Sequence, residues 1–293
     1  MVIINYKIRK FKFLKIYALI SSNFCLMKTI ISLTSIPSRF KYIGKTLDSL
    51  LAQDMKVDKI ILYVPKYYKR FNKKLNKLPP VPKGIIAKFS DTDYGPATKI
   101  LPAAKDFLNK DVRIIFCDDD RIYPKNLVST LISASKKRPN DVIALEGRDI
   151  KDLSKFNWEG KNYPRATVVQ KNYVYRIKRA LSLGLWKPRK NMKSGYADTF
   201  GGFGGVLVYP KFFNKNCFQI PKECWMNDDI WISGQFEINK VKIWITQAKE
   251  VSEASRNQGR NALGDETHHD KARANVNNVA IKYLRETNGI WIN

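Results

Sequence analysis

With 293 residues, 44% of them hydrophobic and 12% aromatic, the chain can bury a sizeable core and is too apolar for general disorder. Lys and Arg number 53 against 26 Asp and Glu, a formal net charge of +27, which favours an anionic partner: nucleic acid, an acidic membrane face or a phosphorylated substrate. The excess lies in several runs without acids, at 7–28, 66–77 and 171–193, so it excludes a single recognition helix as its source, and each run also reads as a solvated lysine-rich surface.

Residues 1–26 form a basic extension. Its apolar stretch, Phe13 to Met27, is broken by Lys15, Ser21, Ser22 and Asn23 and falls short of the ~20 apolar residues of a spanning helix. It reads as a peripheral contact with an anionic membrane, or as sequence upstream of a start at Met27. The four cysteines (Cys25, Cys117, Cys217, Cys224) contain no CxxC pair, which suits a reduced, cytoplasmic protein; the basic extension adds a peripheral position at the inner membrane face as an expectation.

From Met27 onward, strands and helices alternate. Thr29–Leu33 is a short apolar strand ending in the polar turn Thr34–Arg39. Ile43, Leu47, Leu50 and Leu51 then recur at helical spacing. Lys59–Val64 is a second strand, stopped by Pro65. Residues 66–83, basic and proline-containing, read as a loop or a poorly packed helix. Gly84–Phe89 is a third strand, and Ile100, Leu101, Ala104, Phe107 and Leu108 mark a helix. Val112–Cys117, the most apolar strand, runs into Asp118-Asp119-Asp120. A helix follows over about 124–137, then a strand at Asp141–Leu145. Such alternation predicts βαβ units and a largely parallel sheet. Later come an irregular stretch over 147–200, a glycine cluster at 201–205, apolar strands at Val206–Tyr209 and Lys242–Thr246, and a helix over about 266–286.

Three consecutive carboxylates after a buried strand repel one another unless a cation compensates, and strand ends of open α/β sheets are where ligands bind. Hard divalent ions such as Mn²⁺ or Mg²⁺ take carboxylate, phosphate and water oxygens. If the extended period of two persists past Cys117, Asp118 and Asp120 face one way as metal ligands and Asp119 another. The other reading is a polar turn or cap before Pro124.

The strand Ile114–Cys117 with Asp118-Asp119-Asp120 resembles the DxD motif of GT-A glycosyltransferases. The opening Ile31–Arg39 with the helix ending at Gln53 is similar to the first βα unit of family 2-like members. Asp93–Lys99 and Asn227–Trp231 fall where that group carries functional motifs. The resemblance implies an α/β, GT-A (Rossmann-like) fold with a mostly parallel central sheet flanked by helices and an irregular acceptor-side half. The domain would span 27–250, with a nucleotide-sugar half at 27–146, an acceptor half at 147–250 and a helical segment at 251–293. It further implies nucleotide contacts from Thr34 and Ser35 and phosphate pairing by Arg39. Asp91 or Asp93 would bond the base or ribose, Lys99 would neutralise the diphosphate, and Asp119 and Gly204 would complete the substrate site. Asp229 or Asp228 would be the acceptor base, and His268 or His269 a further metal ligand. Each has a plainer alternative: surface lysine for Lys99, helix start for Asp228-Asp229, capped helix start for the histidines.

The activity so implied is metal-assisted transfer of a sugar from a nucleotide-diphosphate donor to a hydroxyl of a glycan, lipid-linked glycan or polysaccharide, inverting if an Asp is the base. The runner-up is a metal-dependent nucleotidyltransferase or phosphoryl-transfer enzyme. A P-loop NTPase is disfavoured by the lack of GxxxxGK[ST]. A basic nucleic-acid-binding protein is the non-enzymatic reading, but zinc spacing and RNA-binding signatures are missing, and no nucleic acid is expected. The glycine cluster precedes a strand rather than following one, the wrong order for a dinucleotide fingerprint. It fits close backbone approach to a sugar, or a flexible acceptor loop.

Overall fold

Short, mostly apolar runs of three to seven residues, too short for helices, become the strands of one sheet in the computed structural model, which describes residues 27–150, 164–168, 173–183, 185, 191–255 and 269–292. The extension 1–26, with Cys25, lies outside the described residues, as do His268 and the side chain of His269.

The first half builds β1 (Lys28–Thr34), α1 (Gly44–Leu51), β2 (Lys59–Pro65), β3 (Ile85–Ser90), α2 (Leu101–Asp106), β4 (Val112–Cys117), α3 (Leu127–Lys137) and β5 (Val142–Ala144). The second half adds β6 (Gly195–Ala197), β7 (Val206–Val208) and β8 (Ile243–Ile245), with α4 (Tyr173–Leu181), α5 (Asp228–Ile238) and α6 (His269–Asn288). The eight strands lie in the order β3-β2-β1-β4-β7-β5-β8-β6. Pairings from β3 through β4 are parallel, as is β5 with β8; β7 runs antiparallel to both neighbours, and β6 antiparallel to β8. The expected α/β architecture, a mostly parallel sheet flanked by helices, is therefore present.

Burial explains the patterning. Every residue of β4 is buried, as befits a central strand covered on both faces, whereas edge strand β3 alternates in exposure. Leu47 and Leu50 of α1 and Leu127, Val128, Leu131 and Ile132 of α3 enter the same core. The C-terminal helix joins it as well: Leu284 of α6 occupies the space that a Cβ on Gly234 of α5 would need, 2.7 Å away.

Topology fixes where a ligand can sit. The chain steps outward from β1 to β2 and β3, then crosses back to place β4 on the other side of β1. The crevice beyond the carboxyl ends of β1 and β4 is thus the switch point of the sheet. Because β7 is antiparallel, with Val206 opposite Phe116, the glycine segment that precedes it arrives at the same end.

Segment 66–83 is neither helix nor featureless loop. It forms a small hairpin, Tyr67–Tyr68 with Lys73–Lys74, closed by a 3-10 turn and by Asn72 in the left-handed region (φ 47°).

Candidate active site

A cavity of about 670 Å³ opens at the switch point, within the range of small-molecule sites. The register that puts Leu33 beside Cys117 brings the two strand ends together. The consequence is a lock between the first loop and the acidic triplet. Ser35 Oγ donates to Asp119 Oδ2, Arg39 Nη1 donates to Asp119 Oδ1 at 2.7 Å, and Thr46 Oγ1 donates to the Asp119 carbonyl at 2.9 Å. Tyr68 Oη, from the small hairpin, donates to the Ser35 carbonyl at 2.7 Å. Burial raises the Asp119 pKa, against the opposing pull of Arg39 and Ser35.

The strand geometry assumed for the triplet ends at Cys117. Asp118–Asp120 form a turn before a two-residue strand, Arg121–Ile122, so the period-two argument has no basis there. All three acids line the cavity. Asp119 is committed to the first loop, while Asp118 Oδ2 and Asp120 Oδ1 accept no hydrogen bond among the described residues. Asp120 lies 3.6 Å from Arg39 Nη1. Burial, with Asp118 and Asp119 nearby, pushes its carboxyl up to about 6. A carboxyl raised by crowded acids is one that an added cation would return to its ionised form. Carboxylate oxygens are the donor type that Mn²⁺ or Mg²⁺ take, but among the described residues no group of three or more His, Cys, Asp or Glu side chains is placed to hold a metal ion.

Facing the triplet, α5 begins with Asp228 and Asp229, where the helix dipole favours anions. Between the two acidic groups stands Lys99, buried, its Nζ 2.7 Å from Asp118 Oδ1, 2.8 Å from Asp228 Oδ2 and 3.6 Å from Asp229 Oδ1. Burial alone would lower the Lys99 pKa, but the three carboxylates outweigh it and hold the ammonium well above its ordinary value. The turn that carries Lys99 inward has its own staples. Asp93 accepts from the backbone N–H of Lys69 (2.7 Å) and of Gly95 (2.8 Å). Gly95 takes φ +59°, with Trp225 at 3.0 Å from where its Cβ would be.

The glycine cluster is close-packed. Gly202 N–H donates to Asp229 Oδ1 and Oδ2 at 3.2 and 3.1 Å, and a Cβ there would lie 2.5 Å from Lys99 Nζ. Burial pushes Asp229 up to about 7, helped by Asp228 and Asp118 and opposed by Lys99 and the Gly202 N–H. A carboxyl poised near neutrality suits proton transfer.

Thr34, Ser35, Arg39, Asp93, Lys99, Asp118, Asp119, Asp120, Asp228 and Asp229 all line this cavity. Asp91 and Gly204 do not: Asp91 is exposed and paired with Lys66, and Gly204 is buried against Glu146. Sequence reading missed Tyr68, Arg70 and Phe71 of the hairpin, Arg148, Phe203 and Trp225, which also line it. The Tyr-Tyr-Lys-Arg-Phe run at 67–71, one residue after β2, was the available signal for the first three, since loops at strand carboxyl ends face the crevice.

No family model matches the chain, and no curated protein matches it in sequence. Among solved structures it is similar to S. aureus TarS 1-349, with 12% identity and a TM-score of 0.46 over 89% of this chain and 73% of that one. The same protein in complex with UDP-GlcNAc gives 14% and 0.47 over 90% and 73%, and in complex with UDP 14% and 0.43 over 89% and 71%.

Proposed function

We propose that this chain is a GT-A-type glycosyltransferase that moves a sugar from a nucleotide-diphosphate donor to a hydroxyl acceptor. One observation carries the reading: two acidic groups, Asp118–Asp120 and Asp228–Asp229, face each other across Lys99 in a single cavity at the switch point of the sheet. One group suits a diphosphate with its cation, the other an acceptor proton.

The division of labour follows from the contacts. Arg39 and the first loop, locked to Asp119, form a rigid wall for the nucleotide and its phosphates. Asp118 and Asp120 would hold Mn²⁺ or Mg²⁺, which supplies Lewis-acid stabilisation of the departing diphosphate. Asp229, raised to about 7, accepts the acceptor proton as the new bond from acceptor oxygen to anomeric carbon forms and the bond to the diphosphate breaks. A base on the face opposite the leaving group gives inversion. The acceptor is a glycan or lipid-linked glycan. A cytoplasmic site of action is supported by Cys117, Cys217 and Cys224, which are buried free thiols. Among the described residues no helix is long and apolar enough to cross a membrane.

The test is a thermal-shift and hydrolysis screen of UDP-, GDP- and dTDP-sugars with Mn²⁺ or Mg²⁺, because a ligand bound only by the folded state raises the melting point. At least one donor should stabilise the protein, and Asp118→Ala with Asp120→Ala should remove the effect. A screen in which no donor shifts the melting point, or a shift untouched by the double substitution, overturns the reading.

A further inference from the structure

Helix α4 stands apart from every other helix in where its apolar residues go. At about 100° per residue, Tyr173, Val174, Ile177 and Leu181 fall within an arc of roughly 100° on one face. In a helix of this composition such a face ordinarily packs on the core. Here α4 contributes no buried residue: exposure on this face runs from 43% at Ile177 to 81% at Leu181. Leu183 and Leu185, just beyond the helix, are exposed as well, at 90% and 85%.

The helix is basic and carries no acid. Arg176 and Lys178 lie on either side of the apolar arc, and Arg179 points away, its Nη1 donating to Tyr175 Oη at 3.3 Å. Its connection to the fold is equally specific. The segments Thr167–Val168 and Asn191–Lys193 pair with each other, and Arg165 bridges Tyr196 of edge strand β6.

We propose that this face is a docking surface for an anionic phospholipid membrane, with α4 lying in the interface plane. The apolar arc would enter the acyl boundary, and the flanking Arg176 and Lys178 would extend to headgroup phosphates while burying their stems. Charge complementarity selects this occupant: the helix is basic in a chain of net charge +27, and cytoplasmic leaflets are negative. Nucleic acid would satisfy the bases but offers nothing to the apolar arc. The proposal is independent of the donor reading, since a membrane-docked enzyme of another class would show it too.

Co-sedimentation of the full chain with vesicles of phosphatidylcholine, alone or mixed with phosphatidylglycerol, tests it. Binding should appear with the anionic vesicles and weaken with salt. Arg176→Gln and Lys178→Gln should each lower it by about fivefold. Ile177→Asp with Leu181→Asp should lower it by at least about tenfold, with the melting point unchanged because these side chains are exposed. Several results would overturn the assignment: no binding to anionic vesicles, or binding that none of these substitutions alters. So would an apolar double variant that instead dissolves a dimer seen by light scattering, or that abolishes binding to an RNA oligonucleotide while vesicles are ignored.

Discussion

Lys99→Met is the most informative single change, because it removes the cation and keeps most of the volume. The ammonium has carboxylate oxygens at 2.7, 2.8 and 3.6 Å, and its loss leaves Asp118, Asp228 and Asp229 facing one another. Removing one partner from a buried ion pair costs about 3–5 kcal/mol. At roughly 2 °C per kcal/mol for a chain of this size, the melting point should fall by about 6–10 °C near neutral to alkaline pH. The sign of the pH dependence is fixed by Asp229, already at about 7 in the folded protein with Lys99 present. A carboxyl whose folded pKa exceeds its unfolded value of about 4 costs stability increasingly as pH climbs between the two, and the cost vanishes below both. Removal of Lys99 takes away a force that lowers the Asp229 pKa, so the deficit should be largest above about pH 7 and shrink on acidification toward about pH 4. Scanning calorimetry of wild type and variant across that range is the assay. A melting point within ~1 °C of wild type at about pH 8, or a deficit that does not shrink with acid, would refute the account of Lys99 as the counterion of the cluster.

Two further outcomes follow from the same geometry. Asp229→Asn should lower transfer by about 10²–10⁴-fold while donor-induced stabilisation persists, and the wild-type rate should rise through about pH 7 as this carboxyl ionises. An unaffected rate, with the loss falling on Asp228→Asn instead, would reassign the base. Gly202→Ala places a Cβ 2.5 Å from Lys99 Nζ and 2.8 Å from Asp229 Oδ1. Displacing these held groups should cost about 1–3 kcal/mol of stability, read by urea unfolding, together with most of the activity. An alanine variant as stable and active as wild type would show that this close approach has no consequence.

Legibility in the sequence tracked burial. Strands β1, β2 and β4 read clearly because central parallel strands are continuous apolar runs, and the acidic triplet stood out because nothing apolar explains it. Helix α5 was harder. It is buried nearly all round, so it lacks the stripe that announces a surface helix, and its first two residues read equally as an acceptor base or as an ordinary helix start. Strand β6 is three residues of Gly-Tyr-Ala at the sheet edge, too short for any period to show. The strand geometry expected through the triplet is not there, because the strand ends at Cys117.

Sequence alone therefore determined the class of the fold and the residue types gathered near strand ends, since both follow from local pattern: apolar runs, helical spacing, and charge where charge is costly. Only tertiary structure decided which of those residues meet. The crossing from β3 back to β4 set Asp119 against Ser35 and Arg39, 84 and 80 positions away in the chain. The antiparallel entry of β7 brought Gly202 onto Asp229. Packing of α5 placed Asp228 within 2.8 Å of Lys99. Contacts at such separations depend on strand order and direction, which a linear pattern does not encode, and it was these contacts that turned a row of acids into two groups divided by one buried lysine.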